Sequence, residues 1–455
     1  MSGRVREAVV PLFLFACLLL GGSAQGVGQL LLLEFGAILL IIAATWSGGA
    51  GAAKTEARPL LWLGSAFLLL LVLQQLPLPP AIWGALPGRG FVAQGYALLG
   101  QELPWLPLSL APYDAWPALL PVLVPLAVLV AMRRKSWVRP SLLVVALLLA
   151  TLLGAILGAL QIQSGWQQFY LYRYSAYGQP TGFFANSNHM GTLLLVAIPF
   201  AVALVTEQLH KRRSRRWRSA LIAFGILAGL ALLGALALNR SLAVLLLSAP
   251  IVLASIAIAA SGRATWRKPL LLLSIALFAA MLVAGFVRHS AGASKESSFA
   301  TREEIWTSSL TLVKEYGVTG SGLGTYPRLY AHAEAPGSVD LTYVNHAHND
   351  YLELLIELGL PGALLLAAFL PWWSRQARRA WAVQGNDPYA QAASISSAAI
   401  LLHSLVDFPL RTAAIAAVFA MCVMLLARRS KPLLAEQEGD LWPTRHLTID
   451  QLGAR

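Results

Sequence analysis

Charge is scarce in this chain. Only 12% of residues are Asp, Glu, Lys or Arg, about half the fraction of a soluble domain. That excludes a water-facing surface over most of its length. Cysteine is nearly absent: the two present, Cys17 and Cys422, both fall inside apolar runs. They read as small core residues, and no disulfide framework is implied. No repeat recurs at a fixed period.

Hydrocarbon fills the rest. Hydrophobic residues make up 57% of the chain and the mean hydropathy is +0.64. Apolar runs near the roughly 20 residues needed to cross a bilayer recur from end to end. They lie at 9–22, 28–46, 60–77, 115–132, 140–161, 188–206, 219–238, 241–261, 269–288, 352–373, 389–407 and 410–427. These predict an all-α polytopic membrane protein of about twelve transmembrane helices.

The formal net charge of +13 resembles a nucleic-acid signal until the basic residues are placed. Alternate loops, such as 133–139, 211–218, 263–268 and 375–379, together with both ends of the chain, hold 25 of the 34 Lys and Arg residues. The opposite side keeps nine. The positive-inside rule then puts both termini in the cytoplasm, and nucleic acid is excluded as a partner. Gly22-Ser23-Ala24 looks like a signal-peptide cleavage site, but an uncleaved first helix is the expectation.

Three segments on the extracytoplasmic side are long enough to build a site. Residues 78–114, rich in Pro and Trp, suit a cover at the membrane interface. Residues 162–187 carry Tyr170, Tyr172, Arg173, Tyr174 and Tyr177, fit to stack on sugars or to anchor at headgroups. They run into Asn186, Asn188 and His189, where Asn186 or Ser187 could cap a helix. The third, 289–350, is the largest. Within it Thr301 with Glu304 reads as a capping box for a helix bearing Arg302. Gly320, Gly322 and Gly324, ahead of Tyr326, read as a tight turn passing close to other backbone. They do not read as a nucleotide loop, because the Lys-Ser/Thr ending is missing.

Arg240 divides an apolar stretch of some forty residues into two helices of about 20. It either snorkels to lipid phosphates or binds a diphosphate through its fork of N–H donors. The densest polar cluster is Asn345-His346-Ala347-His348-Asn349-Asp350, at the head of an apolar run. Two histidines and an acid can make a metal half-site, or Asp350 with Glu353 can cap a helix. Glu353 and Glu357, like charges at i,i+4, are unfavourable unless they line a polar cavity. Gly359-Leu360-Pro361-Gly362 should kink the helix one turn later. A histidine at a cavity rim can serve as general base toward a hydroxyl, and arginines can stabilise a departing diphosphate.

His348-Asn349, followed after nine residues by Gly359-x-x-Gly362, resembles the signature of the O-antigen ligase and polymerase superfamily. Four other pieces agree in order: Gly182 to His189, Asn239-Arg240-Ser241, Arg302 to Trp306 leading into Gly320–Gly324, and His403 to Phe408. The resemblance covers residues 150–427. It implies a GT-C-like fold and an inverting, metal-independent glycosyltransferase of the bacterial inner membrane, using no cofactor. His348 would be the base, and Arg240 and Arg302 would hold the diphosphate. His346, Asn349, Asp350, Asn186, Asn188, His189, Gly322, Gly324 and Tyr326 would support them. The donor would be a glycan on undecaprenyl diphosphate at the periplasmic face. The acceptor would be lipid A-core or a growing polysaccharide, and membrane lipids would surround the protein. Three parts are expected: N-terminal helices 1–149, a ligase-like membrane domain 150–427 with periplasmic loop 289–350, and a cytoplasmic tail 428–455. An O-antigen or exopolysaccharide polymerase would use the same chemistry. A protein O-oligosaccharyltransferase would call for a long C-terminal extension, and a secondary transporter for charges near mid-membrane.

Overall fold

The computed structural model describes residues 3–428, apart from 25–27, 47–55, 135–137, 212–213, 240, 261–267, 278, 281–297, 335–338, 340–343 and 383–386. Arg240 therefore lies outside the described residues, as do most of the predicted tail and parts of the 269–288 span and the 289–350 loop. Helices stand at all twelve predicted places. They are α1 (Gly3–Leu20), α2 (Gly28–Trp46), α3 (Arg58–Leu73), the pair α6 (Pro112–Leu119) and α7 (Leu123–Arg134), α8 (Pro140–Ser164), α9 (Ser187–Lys211), α10 (Arg215–Leu238), α11 (Leu242–Ala259), α12 (Lys268–Leu277), α15 (Asp350–Ala380), α16 (Pro388–His403) and α17 (Ala413–Ala427). Seven of these spans are long and apolar enough to cross a membrane: α2, α6–α7, α8, α9, α10, α11 and α15. The chain is an all-α multi-pass membrane protein.

Helix α9 is the axis of the bundle. It packs most extensively on α16 and α11, and also on α10 and α8. Its residues from His189 to Ala201 are all buried, as expected of a helix without a polar face. Small residues let its neighbours approach: a Cβ at Gly191 would lie 2.4 Å from Val244 of α11, and Ser396 of α16 donates to the Val196 carbonyl at 3.1 Å. Helix α10 instead turns Ile226, Leu227 and Leu230 outward, a face suited to lipid and hazardous in water.

The polar segments gather at one end of the bundle, where α9 and α15 begin; both helices end in basic residues at the other. Here residues 74–114 fold over the bundle as a short antiparallel pair, β1 (Pro77–Leu78) with β2 (Leu106–Pro107), and two small helices, α4 (Pro80–Trp83) and α5 (Gly90–Leu98). Arg89 is sealed inside this cover. It donates to the Leu108 and Gly320 carbonyls and lies over the Tyr316 ring. The cover therefore clamps the glycine turn that follows α13 (Ser298–Tyr316). Because α13 begins at Ser298, Thr301 lies inside the helix and not at its start, where the sequence pattern placed it. The chain then enters α14 (Tyr326–Ala333).

The glycine turn does pass close to other backbone, and its neighbour is the kink in α15. Gly359 leaves the helical region, with φ 61° and ψ −156°, which only glycine adopts at ease. Carbonyls released by the kink are taken up by the turn: Ser321 N–H donates to Ile356 O at 2.9 Å and Gly322 N–H to Glu357 O at 3.0 Å. A Cβ on Gly359 would lie 2.4 Å from the Gly320 nitrogen, and one on Gly320 would lie 2.5 Å from the Glu357 carbonyl. The two glycine motifs are thus one joint.

Candidate functional site

A cavity of about 1950 Å³ opens at this end. His348 stands on its wall in the turn before α15. Among the described residues it alone, other than glycine, has positive φ, at 47°. Such a conformation costs of order 1–3 kcal/mol and persists only where the surroundings impose it. They do so on both sides. Ala347 is fully buried; its N–H donates to Glu353 Oε2 at 3.1 Å and its carbonyl accepts from Trp306 Nε1 at 3.0 Å. Asn349 then starts the helix, its Oδ1 accepting the N–H groups of Tyr351 and Leu352.

Behind His348 lies Asp407, fully buried in the turn between α16 and α17. Its carboxylate gathers four side chains from separate parts of the chain. Asn188 Nδ2 donates to Oδ2, and Arg302 Nη2 stands 3.4 Å from the same oxygen. His189 Nε2 and His348 Nδ1 each lie 3.6 Å from Oδ1, slightly beyond hydrogen-bond length. Burial works against the charge of Asp407, but the two imidazoles work for it and win. The carboxyl stays well below the usual carboxylate range. An ionised carboxylate facing Nδ1 leaves the Nε2 edge of His348 for the cavity, the arrangement a general base needs.

A second cluster adjoins the first through Phe408, whose ring meets His346, His348 and His189 at centroid distances of 4.3, 4.9 and 4.9 Å. Its centre is Arg411. The guanidinium lies 2.8 Å from Glu357 Oε2, 3.4 Å from Glu353 Oε1 and 3.8 Å from Asp350 Oδ1. The like-charged pair Glu353 and Glu357 does face a polar cavity, and this arginine reconciles them. Glu357 also accepts the Gly324 N–H at 2.8 Å. Asp350 accepts Ser404 Oγ at 2.7 Å and the Leu410 N–H at 3.3 Å.

Of the residues named from sequence, His348, His346, Asp350, Arg302, Asn186, Asn188, His189 and Gly324 all border the cavity. Asn186 proves to be a helix cap, its Oδ1 accepting the Asn188 N–H at 2.8 Å. Three others are structural. Tyr326 is fully buried against Ser309, and burial pushes its phenol up. Gly322 packs on Ser109, and Asn349 caps α15. Beside Arg240, Asn239 donates to the Ser187 carbonyl at 2.8 Å and Ser241 caps α11. Asn239 is thereby tied to the start of α9. The tyrosines divide: Tyr172 ties its loop to Leu20 and Gly22, and Tyr174 stacks under Arg173 at the cavity.

Sequence inspection missed Asp407 as the hub of one cluster and Arg411 as the hub of the other. The signals existed: Asp407 closes the His403–Phe408 motif, and Arg411 is the only Lys or Arg between Arg379 and Arg428. Among the described residues no three His, Cys, Asp or Glu side chains are grouped as a metal site.

No curated protein sequence matches the chain. The O-antigen ligase family matches residues 180–367, a stretch holding both histidines, Arg302 and the two glycine motifs; Asp407 and Arg411 lie beyond its end. Over that stretch, which is less than half of the chain, the protein is similar to the O-antigen ligase family.

Proposed function

We propose that this protein transfers a glycan from undecaprenyl diphosphate to a sugar hydroxyl, as an O-antigen ligase acting on lipid A-core. The observation that carries the proposal is the strained His348, backed by Asp407 at the wall of a cavity that Arg302 also borders. His348 takes the proton of the acceptor hydroxyl. The acceptor oxygen bonds to the anomeric carbon from the face opposite the diphosphate, and the carbon–oxygen bond to the diphosphate breaks with inversion. Asp407 stabilises the imidazolium so formed. Arg302, with Arg240, takes up the charge on the departing diphosphate. No metal or cofactor is assigned a step.

The loop charges support an orientation in the bacterial inner membrane with the cavity periplasmic and both termini cytoplasmic. A polymerase extending O-antigen or exopolysaccharide would share this chemistry. The Asp350-Tyr351 pair after the His348-Asn349 motif does not bear on that choice. Asp350 bonds Ser404, and Tyr351 donates to the Leu401 carbonyl at 2.7 Å, so both serve helix packing. Two measurements test the proposal. His348→Ala should abolish transfer while undecaprenyl diphosphate still binds; retained transfer would remove His348 as base. A null strain should accumulate lipid-linked polymer, whereas single repeat units would indicate a polymerase.

A further inference from the structure

A second imidazole–carboxylate pair borders the cavity, and it is closer than the first. His346 Nδ1 lies 2.9 Å from Glu353 Oε1. Glu353 is surrounded by donors: the Ala347 N–H on Oε2 and Arg411 on Oε1. A carboxylate so placed is an acceptor at both oxygens, so His346 must donate from Nδ1. In the neutral ring Nε2 is then the accepting atom. His346 and His348, one residue apart, lie around the same Phe408 ring, each with its own carboxylate.

The two carboxylates sit in different fields. Asp407 is balanced by Arg302. Around Glu353, three carboxylates share the single guanidinium of Arg411. The one guanidinium on this wall is already engaged by carboxylates, so it offers a diphosphate no free cation, whereas a sugar hydroxyl needs only an acceptor.

Resting on the transferase reading, we propose that His346 binds the acceptor sugar. Its Nε2 accepts a hydrogen bond from the hydroxyl adjacent to the one that His348 deprotonates. Glu353 and Arg411 fix the tautomer and keep the diphosphate to the Arg302 side. The acceptor is thus an uncharged or amino sugar with two neighbouring free hydroxyls. No bond is made or broken at His346.

Glu353→Gln is the sharpest test. The amide keeps the size and still accepts the Ala347 N–H, but its NH₂ faces His346 Nδ1. The ring must then carry its proton on Nε2 and present a donor where an acceptor is needed. Transfer in membranes should fall about 100-fold, with undecaprenyl diphosphate binding to purified protein unchanged. His346→Ala should behave alike, and His346→Gln, whose amide oxygen can accept, should keep about a tenth of the rate. Wild-type transfer by Glu353→Gln would overturn the assignment. So would weakened undecaprenyl diphosphate binding by His346→Ala, which would place the donor there. If Glu353→Gln does not fold, the His346 variants decide, and equal rates for Ala and Gln count against the proposal. His348→Ala, run in parallel, separates the two readings. An active His348→Ala sinks the transferase mechanism. A dead one beside a fully active His346→Ala sinks only the acceptor site.

Discussion

Replacing Arg411 with Gln leaves Asp350, Glu353 and Glu357 facing one cavity wall without their shared cation. Each acid keeps other donors: Ser404 and Leu410 for Asp350, His346 and Ala347 for Glu353, Gly324 for Glu357. The fold should therefore survive, and its least costly relief is for one carboxylate to take up a proton. Holding a proton at pH 7 on a glutamate of ordinary pKa, about 4.3, costs about 3.7 kcal/mol. That agrees with the roughly 3–5 kcal/mol lost when one partner of a buried ion pair is removed. The cost should shrink by about 1.4 kcal/mol per pH unit on acidification, to about 1 kcal/mol at pH 5. The sign follows because the folded variant binds a proton that the unfolded chain does not, so acid favours the folded form. Equilibrium unfolding of wild type and variant in mixed micelles at pH 7 and pH 5 measures it. Adding Glu357→Gln to Arg411→Gln should recover about 2–3 kcal/mol at pH 7. A cost equal at both pH values, or below about 1 kcal/mol at pH 7, would refute the view of Arg411 as the counter-charge.

Asp407→Asn should lower transfer about 10³- to 10⁴-fold by offering His348 the wrong hydrogen-bonding partner; a variant keeping a tenth of the rate would contradict the pairing. Because Asp407 is held below its ordinary range, its contribution to stability is complete above about pH 4 and is lost only as pH falls further. The melting cost of Asp407→Asn should accordingly shrink as pH falls below about 4. Gly359→Ala should destabilise by more than about 2 kcal/mol, whereas Gly100→Ala, with similar positive φ but open space around it, should cost about 1. Arg302→Lys should weaken undecaprenyl diphosphate binding at least about tenfold in titrations, since lysine lacks the fork. Excess chelator should leave the transfer rate unchanged; loss restored by a divalent cation would put a metal into the mechanism.

Much of the architecture was legible because hydrophobic length and loop charge report directly on spans. The end of the 389–407 run was misjudged: Ser404 to Phe408 is apolar enough to extend a span, yet it turns across the cavity to deliver Asp407. The Glu353–Glu357 repulsion was visible at i,i+4, but its remedy lies 54 residues from Glu357, a pairing no local pattern encodes. Likewise Gly320 to Gly324 announced a close approach, and only folding revealed that α15 was what it approached. The Thr301–Glu304 pattern marks a place about one turn inside α13, which begins at Ser298. His348 stood out from sequence through its neighbours; its backbone strain could be found only in three dimensions.

The 404–412 turn, which supplies Asp407, Phe408 and Arg411, also bears on biogenesis. It connects α16 and α17. A growing chain therefore inserts Asp350, Glu353 and Glu357 before the cation that neutralises them has been made. Until that hairpin arrives, α15 carries unbalanced acids at its head, and the histidine turn lacks its backing. Only a chain translated and inserted through this hairpin carries the guanidinium that the three acids share.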